Sequence, residues 1–145
     1  MRLSLRLAGP DDLDALLRVE RGLFDHPVDA ACSAEFLSDP RHHLALAFMG
    51  ERIVGMASAV HYLHPDQQPL LFINEVGVLP GHQGQGIARR LVALLCAHGR
   101  RLGCSEAWVA TEPDNLAARR AYAAAGGVEA DAPFVMVNFR LGDGD

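Results

Sequence analysis

The sequence predicts a single mixed α/β domain over residues 1–145, and three observations predict it. The length of 145 residues suits one hydrophobic core. The apolar spacing switches repeatedly between the period of two that marks strands and the period near 3.6 that marks helices. A glycine-rich turn then joins an apolar strand directly to a long amphipathic helix.

Leu3, Leu5 and Leu7 alternate with Ser4 and Arg6 as a half-buried strand, which Gly9-Pro10 ends. Asp11 or Asp12 offers an N-cap, and Leu13, Leu16, Leu17, Leu23 and Phe24 form one helical stripe behind it. Residues 25–32 connect to a short helix over Ser33–Leu37, stopped at Asp39-Pro40. His43–Met49 and Arg52–Tyr62 are apolar runs joined by Gly50-Glu51, which predicts an antiparallel hairpin. Leu70–Val78 is a third strand. Ile87, Leu91, Leu94, Leu95, His98 and Leu102 then recur at helical spacing up to Gly103. Ala107–Ala110 reads as a strand, Asn115–Ala125 as an alanine-rich helix, and Phe134–Leu141 as a last strand.

Composition narrows the classes of function. Half the residues are hydrophobic and 21% are charged, which argues against disorder, and no apolar run is long enough for a bilayer span. The N-terminus lacks the apolar segment of a signal peptide, so a cytoplasmic address is the expectation. The chain has 13 Lys+Arg residues, all of them arginine, and a net charge of −5, a poor match to a phosphate backbone and a better one to a cationic partner. Nucleic acid and membrane are therefore not expected partners. Cys32, Cys96 and Cys104 form no C-x-x-C pair, and the adjacent His42 and His43 would face opposite sides of a strand, so no metal site is expected.

The most informative stretch is Val76-Gly77-Val78-Leu79-Pro80-Gly81-His82-Gln83-Gly84-Gln85-Gly86-Ile87-Ala88-Arg89-Arg90. Where a strand feeds a helix through glycines, several backbone N–H groups lack intrahelical partners and converge with the positive end of the helix dipole, a geometry that fits a pyrophosphate. Gly84 and Gly86 carry no Cβ to hold an anion away, and Arg89 and Arg90 bring cations within a turn. A P-loop would need Lys followed by Ser or Thr, and a Rossmann turn would come earlier in the chain.

Gln83-Gly84-Gln85-Gly86-Ile87-Ala88 resembles the Gln/Arg-x-x-Gly-x-Gly/Ala signature of the GCN5-related N-acetyltransferase (GNAT) superfamily. Asn115, Ala118, Tyr122 and Gly126 are similar to that superfamily's later Asn-x-x-Ala-x-x-x-Tyr-x-x-x-Gly helix. The resemblance spans most of residues 1–141. It implies a mostly antiparallel central sheet with a splayed parallel strand pair, flanked by helices. It also implies acetyl-CoA as cosubstrate, with the pyrophosphate on Gln83, Gly84, Gln85, Gly86, Ile87, Ala88 and Arg89. The pantetheine would lie along Val76, Gly77 and Val78, with Asn115 and Tyr122 beside the cosubstrate.

Acyl transfer from a thioester to an amine needs a neutral amine, charge stabilisation for the tetrahedral oxyanion and a proton for the departing thiolate. The resemblance implies Tyr122 as proton donor and the Val76 N–H as oxyanion partner. Asn115 and Tyr122, seven residues apart, share one helix face, and Asn115 also suits an N-cap. Glu75, a carboxylate in an otherwise apolar run, either faces water or takes the ammonium proton. His61, His64, His82 and a water chain compete for that task. Direct transfer would leave all three cysteines dispensable.

The acceptor is a small cationic amine on this reading, with Asp25, Asp29, His64, Asp66, Glu75, Glu112 and Asp114 as the residues that would bind it, or as solvated loop carboxylates if they do not converge. Residues 25–28, Tyr62-x-His64-Pro65-Asp66, Asn74–Val78 and Ala110–Asn115 resemble the aminoglycoside 3-N-acetyltransferase branch, in which an Asp stands where this chain has Glu75. The alternatives are acetylation of protein N-termini, lysines or polyamines, and a CoA-binding regulatory module without turnover. By the same resemblance the last strand would pair two copies into a homodimer, and burial within one core accounts for the same residues.

Overall fold

Alternation at Leu3, Leu5 and Leu7 builds β1 (Leu3–Leu7), the first strand in a computed structural model that describes residues 2–143. A short 3₁₀ turn leads into α1 (Leu13–Leu17), which is only five residues long. The longer helical stripe expected through Phe24 is not formed. Leu23 is nevertheless buried, reached through an irregular loop. Asp12 does not cap the helix; its carboxylate accepts from the Arg6 guanidinium at 2.7 and 2.8 Å and from the Gly9 N–H at 2.8 Å, tying β1 to the first turn. The Arg6 hydrogen bonds hold the Asp12 carboxyl below the usual range.

The second helix, α2 (Ala30–Ser38), starts earlier than the apolar spacing predicts, because Asp29 caps it by accepting from the Cys32 N–H at 2.8 Å. β2 (His42–Met49) and β3 (Arg52–Tyr62) form the hairpin, and β4 (Leu70–Val78) pairs antiparallel with β3. After a 3₁₀ turn at Pro80–His82 comes α3 (Ile87–Arg101), followed by β5 (Glu106–Trp108) and α4 (Leu116–Ala124). The sheet order is β1-β2-β3-β4-β5, antiparallel except for the parallel pair β4–β5.

Ile87, Leu91, Val92 and Leu95 of α3 are buried against one sheet face, while α1 and α2 pack over β2 and β3 on the other. Two features of β4 position the site. β5 pairs only with Leu70–Phe72, so β4 runs on unpaired on that side from Ile73 to Val78. In addition, Asn74 is an extra residue in the ladder, since Ser58 faces Glu75 and Ala59 faces Ile73. Plain alternation would put Glu75 on the α3 face with Ile73; the bulge moves it to the opposite face and leaves Val76 on the α3 side.

Gly77 shares the face of Glu75, and a Cβ there would lie 2.4 Å from the Leu23 carbonyl oxygen. This close approach seats the α1–α2 loop on β4. Gly77→Ala is expected to cost about 2–3 kcal/mol, measured by urea unfolding.

Beneath α3 a chain of rings crosses the core: His61 Nδ1 lies 2.8 Å from His43 Nε2, and His43 Nδ1 lies 3.1 Å from His98 Nε2, with Arg101 at the outer end. Desolvation, then the neighbouring His98, His61 and His42, lower the His43 pKa to about 4, with Asp39 opposing. The unfolded chain binds this proton near 6.5. Stability is therefore complete above that pH and declines as pH falls towards 4. Melting temperatures between pH 7 and 4 should show this slope, and His43→Phe should flatten it.

The expected last strand at Phe134–Leu141 is not formed. Arg119 of α4 holds Glu129 at 2.8 Å, and beyond it Phe134, Val135, Met136, Val137, Phe139 and Leu141 stand 63–94% exposed. A strand needs a partner edge, and these residues pair with none among the described residues.

Candidate active site

The strand-to-helix turn has the geometry its glycines predict. Gly84 and Gly86 adopt φ of +79° and +78°, and Gly86 occupies the N-cap of α3 without any side-chain cap. Among the described residues the N–H groups of Gly84, Gln85, Gly86, Ile87, Ala88 and Arg89 enter no hydrogen bond. The Arg89 guanidinium folds against Gly86, 3.3 Å from where a Cβ would stand. Six free donors, a helix N-terminus and a cation form a cradle suited to a diphosphate. The Gln83 side chain turns away from it and donates to the Val78 carbonyl at 3.0 Å, fastening the turn to β4.

Next to this turn the unpaired edge of β4 from Ile73 to Val78 lies open toward β5. A cavity of about 250 Å³ under α3 and α4 is lined by Ile73, Val92, Cys96, Val109 and Tyr122. The half-buried Tyr122 hydroxyl has its pKa raised by desolvation and stays protonated at neutral pH. Burial likewise pushes the Cys96 and Cys104 thiols up, away from nucleophilic thiolate. Asn115 caps α4, its Oδ1 accepting from the Ala118 N–H at 3.1 Å.

Glu75 lies on the other face, in the loop region of α1–α2. Its Oε2 accepts from the Asp25 N–H at 2.6 Å. Desolvation raises its pKa, against the Asp25 N–H and the nearby His26, which lower it. A cavity of about 430 Å³ adjoins, lined among others by Phe24, Asp25, His26 and Val28.

Of the acidic residues expected around the acceptor, the structure brings together Glu75 and Asp25. Asp29 is engaged as the α2 cap. Asp66 is exposed at the opposite end of β4, in the β3–β4 loop, while Glu112 and Asp114 are exposed on the turn before α4. His61 belongs to the ring chain under α3, on the face away from Glu75. His82 lies in the 3₁₀ turn before the cradle. His64 packs on Tyr62 with ring centroids 5.0 Å apart, and its Nε2 is buried without a partner. The sequence reading missed the cluster of Tyr62, Phe72 and Trp108; the one tryptophan in the chain, opposite an aromatic on the next strand, was its available signal.

A mixed sheet whose parallel pair ends at Phe72, beside a glycine-led helix and with a half-buried phenol lining the gap, suits an acyltransferase. Residues 12–126 match the acetyltransferase (GNAT) family, and the chain belongs to that family. It is 30% identical over 102 residues to an uncharacterized N-acetyltransferase of Mycobacterium tuberculosis, covering 70% of this chain and 63% of that relative, so the match spans less than two thirds of the relative's length. It is 28% identical over 107 residues to aminoglycoside N(6')-acetyltransferase type 1 of Salmonella typhimurium, covering 70% of this chain and 74% of that protein. The fold is also that of the aminoglycoside N-acetyltransferase AAC(6')-Iy, solved with the bisubstrate analogue CoA-S-monomethyl-acetylneamine. There the TM-score is 0.78 at 22% identity, over 97% of this chain and 100% of the other.

Proposed function

We propose that this chain transfers an acetyl group from acetyl-CoA to an amine of a small polycationic amino sugar, within a ternary complex. The observation that carries the reading is the row of unsatisfied amides at residues 84–89 beside an open strand edge. Those donors suit the CoA diphosphate, and the β4 edge suits the pantetheine amides. Glu75, on the face reached from the α1–α2 loop, takes a proton from the acceptor ammonium. The neutral nitrogen attacks the thioester carbon, and the Val76 N–H steadies the oxyanion. Collapse of the tetrahedral adduct breaks the C–S bond, Tyr122 gives its proton to the leaving thiolate, and the extra proton on the acylated nitrogen passes to the phenolate, which leaves a neutral amide and restores Tyr122.

The amino-sugar acceptor is supported by the carboxylates Glu75 and Asp25 at the site and by the names of the Salmonella and AAC(6') proteins. Those names move the expected position from the 3-amine to the 6'-amine. Calorimetry with CoA and a free-thiol release assay over aminoglycosides, polyamines and peptides test the function, and NMR of the product assigns the position. Absence of CoA binding at millimolar concentration sinks the proposal; CoA binding without thiol release from any amine leaves a regulatory module. The exposed run at Phe134–Leu141 and the free edge of β5 further support pairing of two copies, which light scattering of the chain with and without residues 128–145 checks.

A further inference from the structure

On the face of the sheet that carries Glu75, α1 and α2 pack chiefly over β2 and β3, and aromatic rings line the β4–β5 end. Trp108 stands directly opposite Phe72 in the ladder, their ring centroids 4.3 Å apart. Trp108 Nε1 donates to the Tyr62 hydroxyl at 3.2 Å, which locks the indole in place. Despite these contacts Trp108 remains 39% exposed. An indole held rigid and left half open is a preformed stacking surface rather than a core residue. Glu106 is exposed two residues before Trp108 on the same side of β5, and Glu75 lies three residues beyond Phe72, about 10 Å along the strand. The Nε2 of His64, whose ring packs on Tyr62 at the margin of this floor, is enclosed and has no hydrogen-bond partner among the described residues.

We propose that Trp108, Phe72 and Tyr62 form a subsite that stacks against a second ring of the acceptor, distal to the ring whose amine faces Glu75. The inference rests on the amino-sugar reading above. Carboxylates at both ends of an aromatic floor select a ligand that is cationic at its edges and apolar on its ring faces. The separation of floor and Glu75 is bridged by two linked rings and not by one. A linear polyamine matches the charge but offers no ring face.

Trp108 is the only tryptophan in the chain, so its emission reports the subsite directly, with no acetyl donor present. Titration with the two-ring amino sugar neamine should shift that emission saturably, whereas spermine and the neutral disaccharide trehalose should not. Trp108→Ala should raise the neamine KM about tenfold with kcat within about twofold, and leave the KM of the single amine-bearing ring, 2,6-diamino-2,6-dideoxyglucose, unchanged; Trp108→Phe should restore most of the loss. Emission that stays still at neamine concentrations saturating turnover, or that moves equally with spermine, overturns the subsite. So do equal KM rises for the one-ring and two-ring amines. Failure of thiol release with every amine would instead overturn the transferase reading, so the two failures are distinct.

Discussion

Tyr122→Phe should lower kcat by about 10²-fold or more while the KM for acetyl-CoA moves less than about twofold. The phenyl ring keeps its place against the core in the wall of the cavity, so only the proton is lost. The pH profile separates this role from a structural one. Desolvation raises the Tyr122 pKa above its ordinary 10.0, and the donor must be protonated, so the wild-type rate should hold through the usual tyrosine range and fall only above it. The phenylalanine variant should lack that alkaline limb. A variant with unchanged kcat would remove Tyr122 from the chemistry.

Glu75→Gln should reduce kcat/KM for the amine by about 10²–10³-fold and erase the acid limb of the profile. The base must be ionised to accept a proton. Burial raises its pKa above 4.5, so activity should climb with pH through a midpoint above the usual carboxylate range. Glutamine still accepts the Asp25 N–H, so the α1–α2 loop should stay seated. Glu75→Asp, one methylene shorter, should retain part of the rate. An unchanged acid limb in Glu75→Gln would transfer the base role to another group.

Several parts of the site were legible before any coordinates. The 84–89 turn, α3, the β2–β3 hairpin and the cap at Asn115 depend on contiguous residues, and each kept the position its pattern indicated. The acceptor side was much less legible. Asp29 looked like a ligand for a cation and proved to be a helix cap, because a carboxylate three residues before an unpaired N–H finds that donor first. His61 looked like a candidate base and proved to sit in the ring chain with His43 and His98, two elements that only the fold brings to it.

By itself, the amino-acid order determined the phosphate-type cradle and the helix that carries Tyr122, since backbone conformation over a few neighbouring residues suffices to make them. Tertiary structure alone decided that Glu75 faces Asp25 rather than α3, because the extra residue at Asn74 inverts the side on which every following side chain projects. It also decided that Trp108, Phe72 and Tyr62 meet, and that Phe134–Leu141 finds no strand to join. Those outcomes depend on pairing between distant segments, and local residue patterns carry no record of which edge is left free.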